Sequence, residues 1–326
     1  MKLDAKDKKI LKALDENARY PLSKIAKKAL TSKQVVDYRI KSLKKRKLLK
    51  GFSTAIDISK LGYSSYTVYI LFQSITKERE KEIIDFIVQH PFTRWCVSCA
   101  GEYDLAFTIT ASSTNHFNKT LKEILNFIGD NLNEYETNTI LDFRDYSLSF
   151  FFDNYVPRTV MSEAAKDKIV KIDKKDIEIL KLLQKNARIP LIDIAKQLNI
   201  SADTVNYRIK SLKNKKLIVA YTPSINYNIL GYNWYQLLMH LKNITEPEEK
   251  RLLKRLSTTK GIRYITRCIG KWNFEIHLVV KNNAELKETV MELRNIFADY
   301  LKSYDTNIIL EKHKSSTMPK GILEQY

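Results

Sequence analysis

The sequence has few cysteines and no long apolar run. Three of its 326 residues are cysteine, an odd number that cannot pair completely within the chain, so we expect no disulfide framework. No apolar stretch approaches the ~20 residues that cross a bilayer. The first residues carry charges without the apolar segment of a secretory signal. These absences predict a soluble, cytoplasmic protein with no membrane partner.

Metal-binding patterns are equally sparse. Cys96 and Cys99 read as C-x-x-C, but they lie in a strand-like run, where residues three apart point to opposite faces of a sheet. No second C-x-x-C and no nearby histidine supports chelation. We therefore expect buried structural cysteines, no metal and no cofactor.

What the sequence does contain is a repeat at an offset of 169 residues. Residues 38–43 recur as 207–212, and residues 61–63 recur as 230–232, with no insertion or deletion between them. Two copies at so long a period predict a duplicated pair of domains rather than a solenoid.

The net charge of +19 is concentrated in two equivalent segments. Residues 1–50 carry +12 and residues 171–220 carry +7, whereas residues 51–170 carry −5 and residues 221–326 carry +5. A scattered, solvated surface would not follow the repeat in this way. A compact basic face suits the phosphate backbone of a nucleic acid.

Each basic segment has the pattern of a helix-turn-helix. A first helix follows Asp4, a second opens at Pro21, and a third follows the N-cap Ser32 with its apolar residues at helical spacing. Asp173, Pro190 and Ser201 repeat these signals. Helix, short turn and helix is the arrangement that places a recognition helix in the DNA major groove.

If the third helix reads DNA, its outward residues near the N-terminus meet base edges and later basic residues hold phosphates. The amides of Gln34 and Asn206 suit adenine. The DNA-binding candidates are Ser32, Lys33, Gln34, Asp37, Tyr38, Arg39, Lys41, Lys44, Lys45 and Arg46 in copy one, and Ser201, Ala202, Asp203, Asn206, Tyr207, Arg208, Lys210 and Lys213 in copy two.

The second half of each copy alternates strand and helix signals in the order βαββαβ. In copy one we expect strands near 63–72, 93–100, 105–111 and 135–150 with helices near 77–89 and 115–131. In copy two we expect strands near 232–242, 262–269, 274–280 and 304–312 with helices near 247–259 and 284–301. The predicted class is α+β, with two winged-type helix-turn-helix domains alternating with two ferredoxin-like domains.

The repeat also sets the expected boundaries. The predicted domains are a helix-turn-helix at 1–50, a ferredoxin-like domain at 51–155, a linker at 156–170, a second helix-turn-helix at 171–218, a second ferredoxin-like domain at 219–313 and a tail at 314–326.

The pattern I-A-x5-S-x3-V-x-Y-R-I-K-S-L, at 25–43 and 194–212, resembles the helix-turn-helix of Lrp/AsnC (feast/famine) regulators. The second halves are similar to that family's effector (RAM-type) domain. The resemblance implies sequence-specific DNA binding, dimers and larger homo-oligomers, and an amino-acid-like effector bound between subunits. It marks Gly101, Tyr103 and Asp104 as effector candidates in copy one, and Gly270 and Asn273 in copy two.

The copies depart from the family pattern in two places. The turn before the recognition helix usually carries glycine; Asn199 tolerates a left-handed backbone but Leu30 does not, so we expect a reshaped turn in copy one. Asn273 stands where copy one has Asp104, which removes a charge that could hold an amino group. Both effector motifs also fit tight β-turns served by glycine.

A chain with two DNA-binding units and two sheets is expected to form an intramolecular pseudo-dimer. Because its two recognition helices differ in sequence, we expect them to bind two different half-sites. The charges of −5 and +5 on the sensor halves favour this pairing.

Two other classes of function compete with this interpretation. A sirohaem-decarboxylase-like enzyme on the same fold would need His and Arg grouped in a pocket of the sheet. The five histidines share no position between copies, although His240 and His277 lie on predicted strands of copy two and could approach each other. We therefore expect no catalytic residue and no enzyme. An architectural chromatin protein would differ in lacking sequence preference at physiological salt.

Overall fold

The computed structural model describes residues 3–146, 148–152, 160–163 and 169–325, with backbone alone at 149 and 160–163. Of the predicted linker at 156–170, residues 156–159 and 164–168 lie outside the described residues. In the part of the chain that is described, no helix is long and apolar enough to span a membrane.

The helices and strands recur in the same order in the two copies. Copy one contains α1 (Ala5–Glu16), α2 (Leu22–Ala29), α3 (Lys33–Lys45), β1 (Leu49–Ile56), β2 (Ser64–Phe72), α4 (Lys77–Gln89), β3 (Thr93–Ala100), β4 (Leu105–Ala111), α5 (Thr114–Ile128) and β5 (Leu132–Asp145), followed by β6 (Val160–Glu163). Copy two contains α6 (Lys174–Lys185), α7 (Leu191–Leu198), α8 (Ala202–Asn214), β7 (Ile218–Ile225), β8 (Asn233–Leu241), α9 (Glu246–Leu256), β9 (Ile262–Gly270), β10 (Phe274–Val280), α10 (Asn283–Ile296) and β11 (Leu301–Ser315), followed by α11 (Lys320–Leu323). The α+β class and both helix-turn-helix units are therefore confirmed.

The strands of the two ferredoxin-like units close into one antiparallel barrel. Hydrogen-bonded neighbours run β2-β4-β3-β11-β8-β10-β9-β5, and β5 pairs with β2 to complete the ring; β6 adds to β5 outside it. Closure removes the exposed sheet edges that would otherwise template aggregation.

Two long strands join the units because each belongs to both. The first half of β5 pairs with β2 of its own copy and the second half with β9 of the other copy. In the same way β11 pairs first with β8 and then with β3. The two ferredoxin-like units therefore associate with each other within one chain.

A two-stranded antiparallel ribbon, β1–β7, joins the copies above the barrel. Ser53 lies opposite Thr222, its own repeat equivalent, and the two hydroxyl oxygens are 3.3 Å apart. A pseudo-two-fold axis must therefore pass through this pair. One ribbon face packs on the helices, where Thr54 Oγ1 donates to the carbonyl of Leu183 at 2.7 Å.

Three apolar layers hold the assembly together. Helices α4 and α5 bury one cluster against the outside of the barrel, α9 and α10 bury a second, and the barrel interior, the ribbon and the helix-turn-helix units share the third. Cys96 belongs to the α4–α5 cluster and Cys99 to the interior cluster. The prediction that these thiols face opposite sides of the sheet is confirmed.

Several predicted element ends shift. The strand expected at 135–150 ends at Asp145, because β5 follows β9 only that far before Tyr146 bonds to Arg263 and the chain turns. Conversely, β11 extends to Ser315, beyond the expected 312, through its second pairing with β3. The predicted tail is packed in part, since Met318 and Ile322 are fully buried.

The exchanged strands make Gly270 a test of this fold. A Cβ there would lie 2.6 Å from the carbonyl oxygen of Thr137, in the middle of β5, and φ is +155°. We expect Gly270→Ala to lower the free energy of unfolding by about 2–3 kcal/mol, measured by urea denaturation.

Gly51→Ala is the matched control, because nothing lies within 4 Å of its Cβ position and its backbone is not in the left-handed region. It should change stability by less than about 0.5 kcal/mol. Equal effects of the two substitutions would contradict the strand exchange.

Candidate DNA-binding surface and internal cavity

The recognition helices α3 and α8 present matching outward faces. Ser32 Oγ accepts from the amide of Val35 at 3.3 Å and Ser201 Oγ from that of Thr204 at 3.1 Å, so both serines cap their helices as predicted. Tyr38 and Tyr207 are 70% and 73% exposed, and rings so open to water make no core contribution. Also exposed are Lys33, Gln34, Lys41, Lys44, Lys45, Arg46, Asp203, Lys210 and Lys213, while Asp37, Ala202 and Asn206 are half-buried.

The two arginines expected to hold phosphates are tied to the first helix of their own copy. Arg39 pairs with Asp4 and, at 3.1 Å, with Asp7. Arg208 pairs with Asp173 at 2.8 Å and with Asp176 at 2.9 Å. The hydrogen bonds that both guanidinium groups donate to these carboxylates raise the pKa of the two arginines. Each pair fixes a recognition helix on its scaffold, and phosphate contact by these arginines stays a prediction.

The turn before α3 is not reshaped, contrary to our expectation. Leu30 adopts φ 53° and ψ 54°, close to φ 49° and ψ 52° at Asn199 in copy two. Because the Leu30 side chain is 77% exposed, it meets no packing obstacle and the turn keeps its shape at the cost of backbone strain.

Two further arginines, which we name the arginine clasp, join the copies across the axis. Arg19 donates to the carbonyl oxygens of Ala187 and Ile189 at 2.6 and 3.2 Å. Arg188 donates to the equivalent oxygens of Ala18 and, at 2.9 Å, Tyr20. Burial lowers the pKa of both guanidinium groups. The clasp and the ribbon together set the distance and angle between the recognition helices.

Two of the effector candidates, Asp104 and Asn273, accept hydrogen bonds from backbone amides of their own copy. The carboxylate of Asp104 accepts from the amide of Phe72 at 2.8 Å, and the amide oxygen of Asn273 accepts from the equivalent Leu241 at 2.7 Å. Aspartate and asparagine thus perform the same structural task.

The other effector candidates make contacts between the copies. Gly101 and Gly270 allow close approach of the exchanged strands. Tyr103 is buried, and its hydroxyl accepts from Lys271 Nζ at 2.9 Å. Effector binding at these positions stays a prediction.

A cavity of about 250 Å³ lies beneath the ribbon, on the face opposite the helices. Ser53 and Thr222 line it from the ribbon, so it spans the pseudo-two-fold axis. The barrel contributes the repeat-equivalent pair Arg94 and Arg263, together with Trp95, Trp234, Tyr264, Glu275, His277 and Lys312.

Copy two makes this cavity asymmetric. His277 and Glu275 stand where copy one has Thr108 and Ala106. Burial, reinforced by the charge of Arg263, lowers the pKa of His277 to about 3, so its ring is neutral at physiological pH. Burial raises the pKa of the Glu275 carboxyl.

Sequence reasoning missed this cavity. His277 bonds to Trp234, and its strand neighbour on β8 is Gln236, four residues from His240. Four residues of strand span about 13 Å, so the expected approach of His240 to His277 does not occur. The repeat offset relates Arg94 to Arg263, and this was the available signal for the pair.

In the described residues, no group of acidic, cysteine and histidine side chains could hold a metal ion.

Comparisons with known proteins define the class. Residues 3–44 match the family model of the AsnC-type helix-turn-helix domain, and residues 172–219 match that of winged helix-turn-helix DNA-binding domains. With the fold, these matches define a DNA-binding protein with a helix-turn-helix at the start of each copy.

Individual relatives show which regulators the chain resembles. The chain is 26% identical over 148 residues to the HTH-type transcriptional regulator FL11 of Pyrococcus abyssi, covering 45% of this chain and 95% of that protein. It is 47% identical over 62 residues to the regulator LrpA of Pyrococcus horikoshii, covering 19% and 44%. The chain is thus similar to the Lrp/AsnC transcriptional regulators, and its repeat carries the helix-turn-helix twice.

The whole double fold also occurs elsewhere. A solved siroheme decarboxylase, NirDL, in complex with an iron-uroporphyrin III analogue, superimposes with a TM-score of 0.63 over 95% of this chain and 93% of that chain. The sequences are 14% identical, so this likeness shows the fold alone.

The strained turn gives a stability prediction for each copy. Leu30→Asn should raise the free energy of unfolding by about 0.5–1 kcal/mol, because asparagine accepts the left-handed backbone more readily than leucine. Asn199→Leu should lower it by a similar amount. Thermal denaturation monitored by circular dichroism measures both, and a destabilising Leu30→Asn would refute the assignment of strain.

Proposed function

We propose that this chain is a transcriptional regulator that binds one double-stranded operator with two unlike recognition helices, and that a small molecule modulates the binding. The observation that carries the proposal is the fixed pairing of two exposed, basic recognition helices about a pseudo-two-fold axis. A regulator acts where the chromosome lies, so the proposal retains the expected cytoplasmic location.

The base-reading positions differ between the copies. Lys33, Gln34 and Asp37 of α3 correspond to Ala202, Asp203 and Asn206 of α8, whereas the exposed tyrosines are common to both. Glutamine and asparagine suit adenine, and an unpaired aspartate suits the amino group of cytosine. The Asp37 carboxylate forms an ion pair with Lys41 at 2.7 Å. Gln34 is therefore the better candidate for a base contact in copy one.

Selection from random DNA should therefore recover an operator with two different half-sites. The variant Lys33→Ala/Gln34→Asp/Asp37→Asn gives α3 the outward residues of α8 without touching its buried face. We expect this variant to select a near-palindrome. Recovery of the same asymmetric site by both proteins would contradict base reading at these three positions.

Salt dependence separates this function from chromatin packaging. Binding to the selected operator at physiological salt should exceed binding to scrambled DNA by roughly 10³-fold or more. Gln34→Ala should reduce that ratio, whereas Lys45→Ala should weaken binding to both DNAs equally. Equal affinity of the unmodified protein for both DNAs would favour an architectural role.

A siroheme-decarboxylase-like reaction is the second candidate function. Its support is the grouping of Arg94, Arg263 and His277 in one cavity, on a fold that NirDL shares. The cavity of about 250 Å³ is small for a tetrapyrrole, since pockets for drug-sized ligands already span roughly 300–1,000 Å³. Incubation with sirohaem should give no decarboxylated product by mass spectrometry; turnover would reverse the ranking.

The finer parts of the proposal are an amino-acid-like effector and further association into homo-oligomers. The exposed apolar side chains of Ile269, Ile308 and Leu310 on the barrel support association. Sedimentation velocity of the full chain with and without an amino-acid mixture tests both.

A further inference from the structure

The cavity beneath the ribbon contains a half-buried arginine, Arg94, that lacks a carboxylate partner among the described residues. Arg94 donates one long hydrogen bond, 3.4 Å, to Ser65 Oγ, and in the described residues no carboxylate oxygen lies within salt-bridge distance of it. Burial lowers the pKa of this group, with Asp57 acting in the opposite direction from farther away. A charge that is withdrawn from water in this way raises the free energy of the protein unless an anion pairs with it.

The repeat shows why Arg94 is unpaired. Its equivalent, Arg263, is held by Asp145 at the end of β5. The residue equivalent to Asp145 is Lys314 on β11, whose ammonium donates instead to the carbonyl of Val88 and, at 3.2 Å, to that of His90. Copy two has therefore lost the acid that would neutralise Arg94, and the cavity keeps a positive charge.

Two more groups add hydrogen-bond donors to the lining. Lys312 lies at the rim of the cavity, where part of its side chain meets water, and is 5.9 Å from the ring of Trp234. Desolvation by the surrounding protein, with the charges of Lys50 and Arg263, lowers its pKa to about 8. The indole N–H of Trp234 donates to Nδ1 of His277 at 3.0 Å, so the histidine proton sits on Nε2. The Nε2–H group of His277 has no hydrogen-bond partner among the described residues and is available to a ligand.

Aromatic rings surround these donors. The ring of His277 lies 5.5 Å from Trp234, 5.9 Å from Trp95 and 5.7 Å from Tyr264. Rings at such separations present faces and edges that a flat apolar group can stack against.

We propose that the cavity binds a small aromatic carboxylate, with its carboxylate on Arg94 and Lys312 and its ring among Trp95, Trp234 and His277. This site is separate from the Gly101 and Gly270 turns. The ribbon is the single layer between the cavity and the helix-turn-helix pair, so an occupied cavity shifts the ribbon and changes the affinity for DNA. This coupling, unlike the binding itself, rests on the proposed function.

Calorimetric titration of the full chain tests the site without DNA, using phenylacetate as the probe. Phenylacetamide, which lacks the charge, and inorganic phosphate, which lacks the ring, should each bind at least tenfold more weakly. Failure of phenylacetate to bind would overturn the proposal, and phosphate binding as tightly as phenylacetate would overturn the aromatic part.

Variants locate the site. Arg94→Gln and Lys312→Gln should each weaken phenylacetate binding roughly tenfold or more, and Lys312, being exposed, can be changed without harm to the core. Arg251→Gln, on the exposed outer face of α9, is the charge-matched control and should leave binding unchanged. Unaltered binding in both cavity variants would refute the location.

The coupling is tested by repeating operator titrations with and without saturating phenylacetate. The operator affinity should change several-fold, and the operator should change phenylacetate affinity by the same factor. Phenylacetate binding in a protein that binds no operator would refute the proposed function and leave the site standing. Operator binding without phenylacetate binding would refute the cavity site and leave the proposed function standing.

Discussion

The β1–β7 ribbon is the constraint on which the rest of the structure depends. Its register places Ser53 opposite Thr222, a residue opposite its own repeat equivalent, and this fixes a pseudo-two-fold axis. Because α3 and α8 lead directly into the ribbon strands, the same register sets the separation of the two recognition helices. The arginine clasp repeats the symmetry on one side of the ribbon, and the exchange of β5 and β11 repeats it on the other.

Within this symmetric frame the copies have diverged where chemistry would matter. The frame itself is kept: both arginines of the clasp, both N-cap serines and both glycines at the strand exchange are present. The outward residues of the recognition helices differ, and so do the groups at the cavity. Covalent fusion permits this divergence, because each position of a fused pair changes independently whereas a homodimer changes both sides at once.

Much of this fold could be predicted from the sequence because the signals are local. Caps at Ser32 and Ser201, a proline at the start of the second helix and helical spacing of apolar residues depend on neighbours within a few positions. The repeat predicted the duplication, and side-chain alternation correctly placed Cys96 and Cys99 on opposite faces.

The remaining features are non-local. The choice of β9 and β3 as second partners of β5 and β11 depends on pairings across more than 100 residues, and hydrophobic pattern alone does not select among partners. The cavity gathers Arg94, Arg263 and His277 from three strands of two copies, so no spacing rule finds it. The turn at Leu30 was predicted wrongly because a strain of about 1–2 kcal/mol is tolerated when the fold over-determines the backbone.

In the proposed function, one chain places two unlike recognition helices on one operator. Hydroxyl-radical footprinting of the selected operator, together with the mass of the complex in solution, tests this arrangement. We expect one chain for each pair of half-sites, with unequal protection patterns in the two halves. Two chains on one operator, with protection from copy one alone in each half, would contradict it.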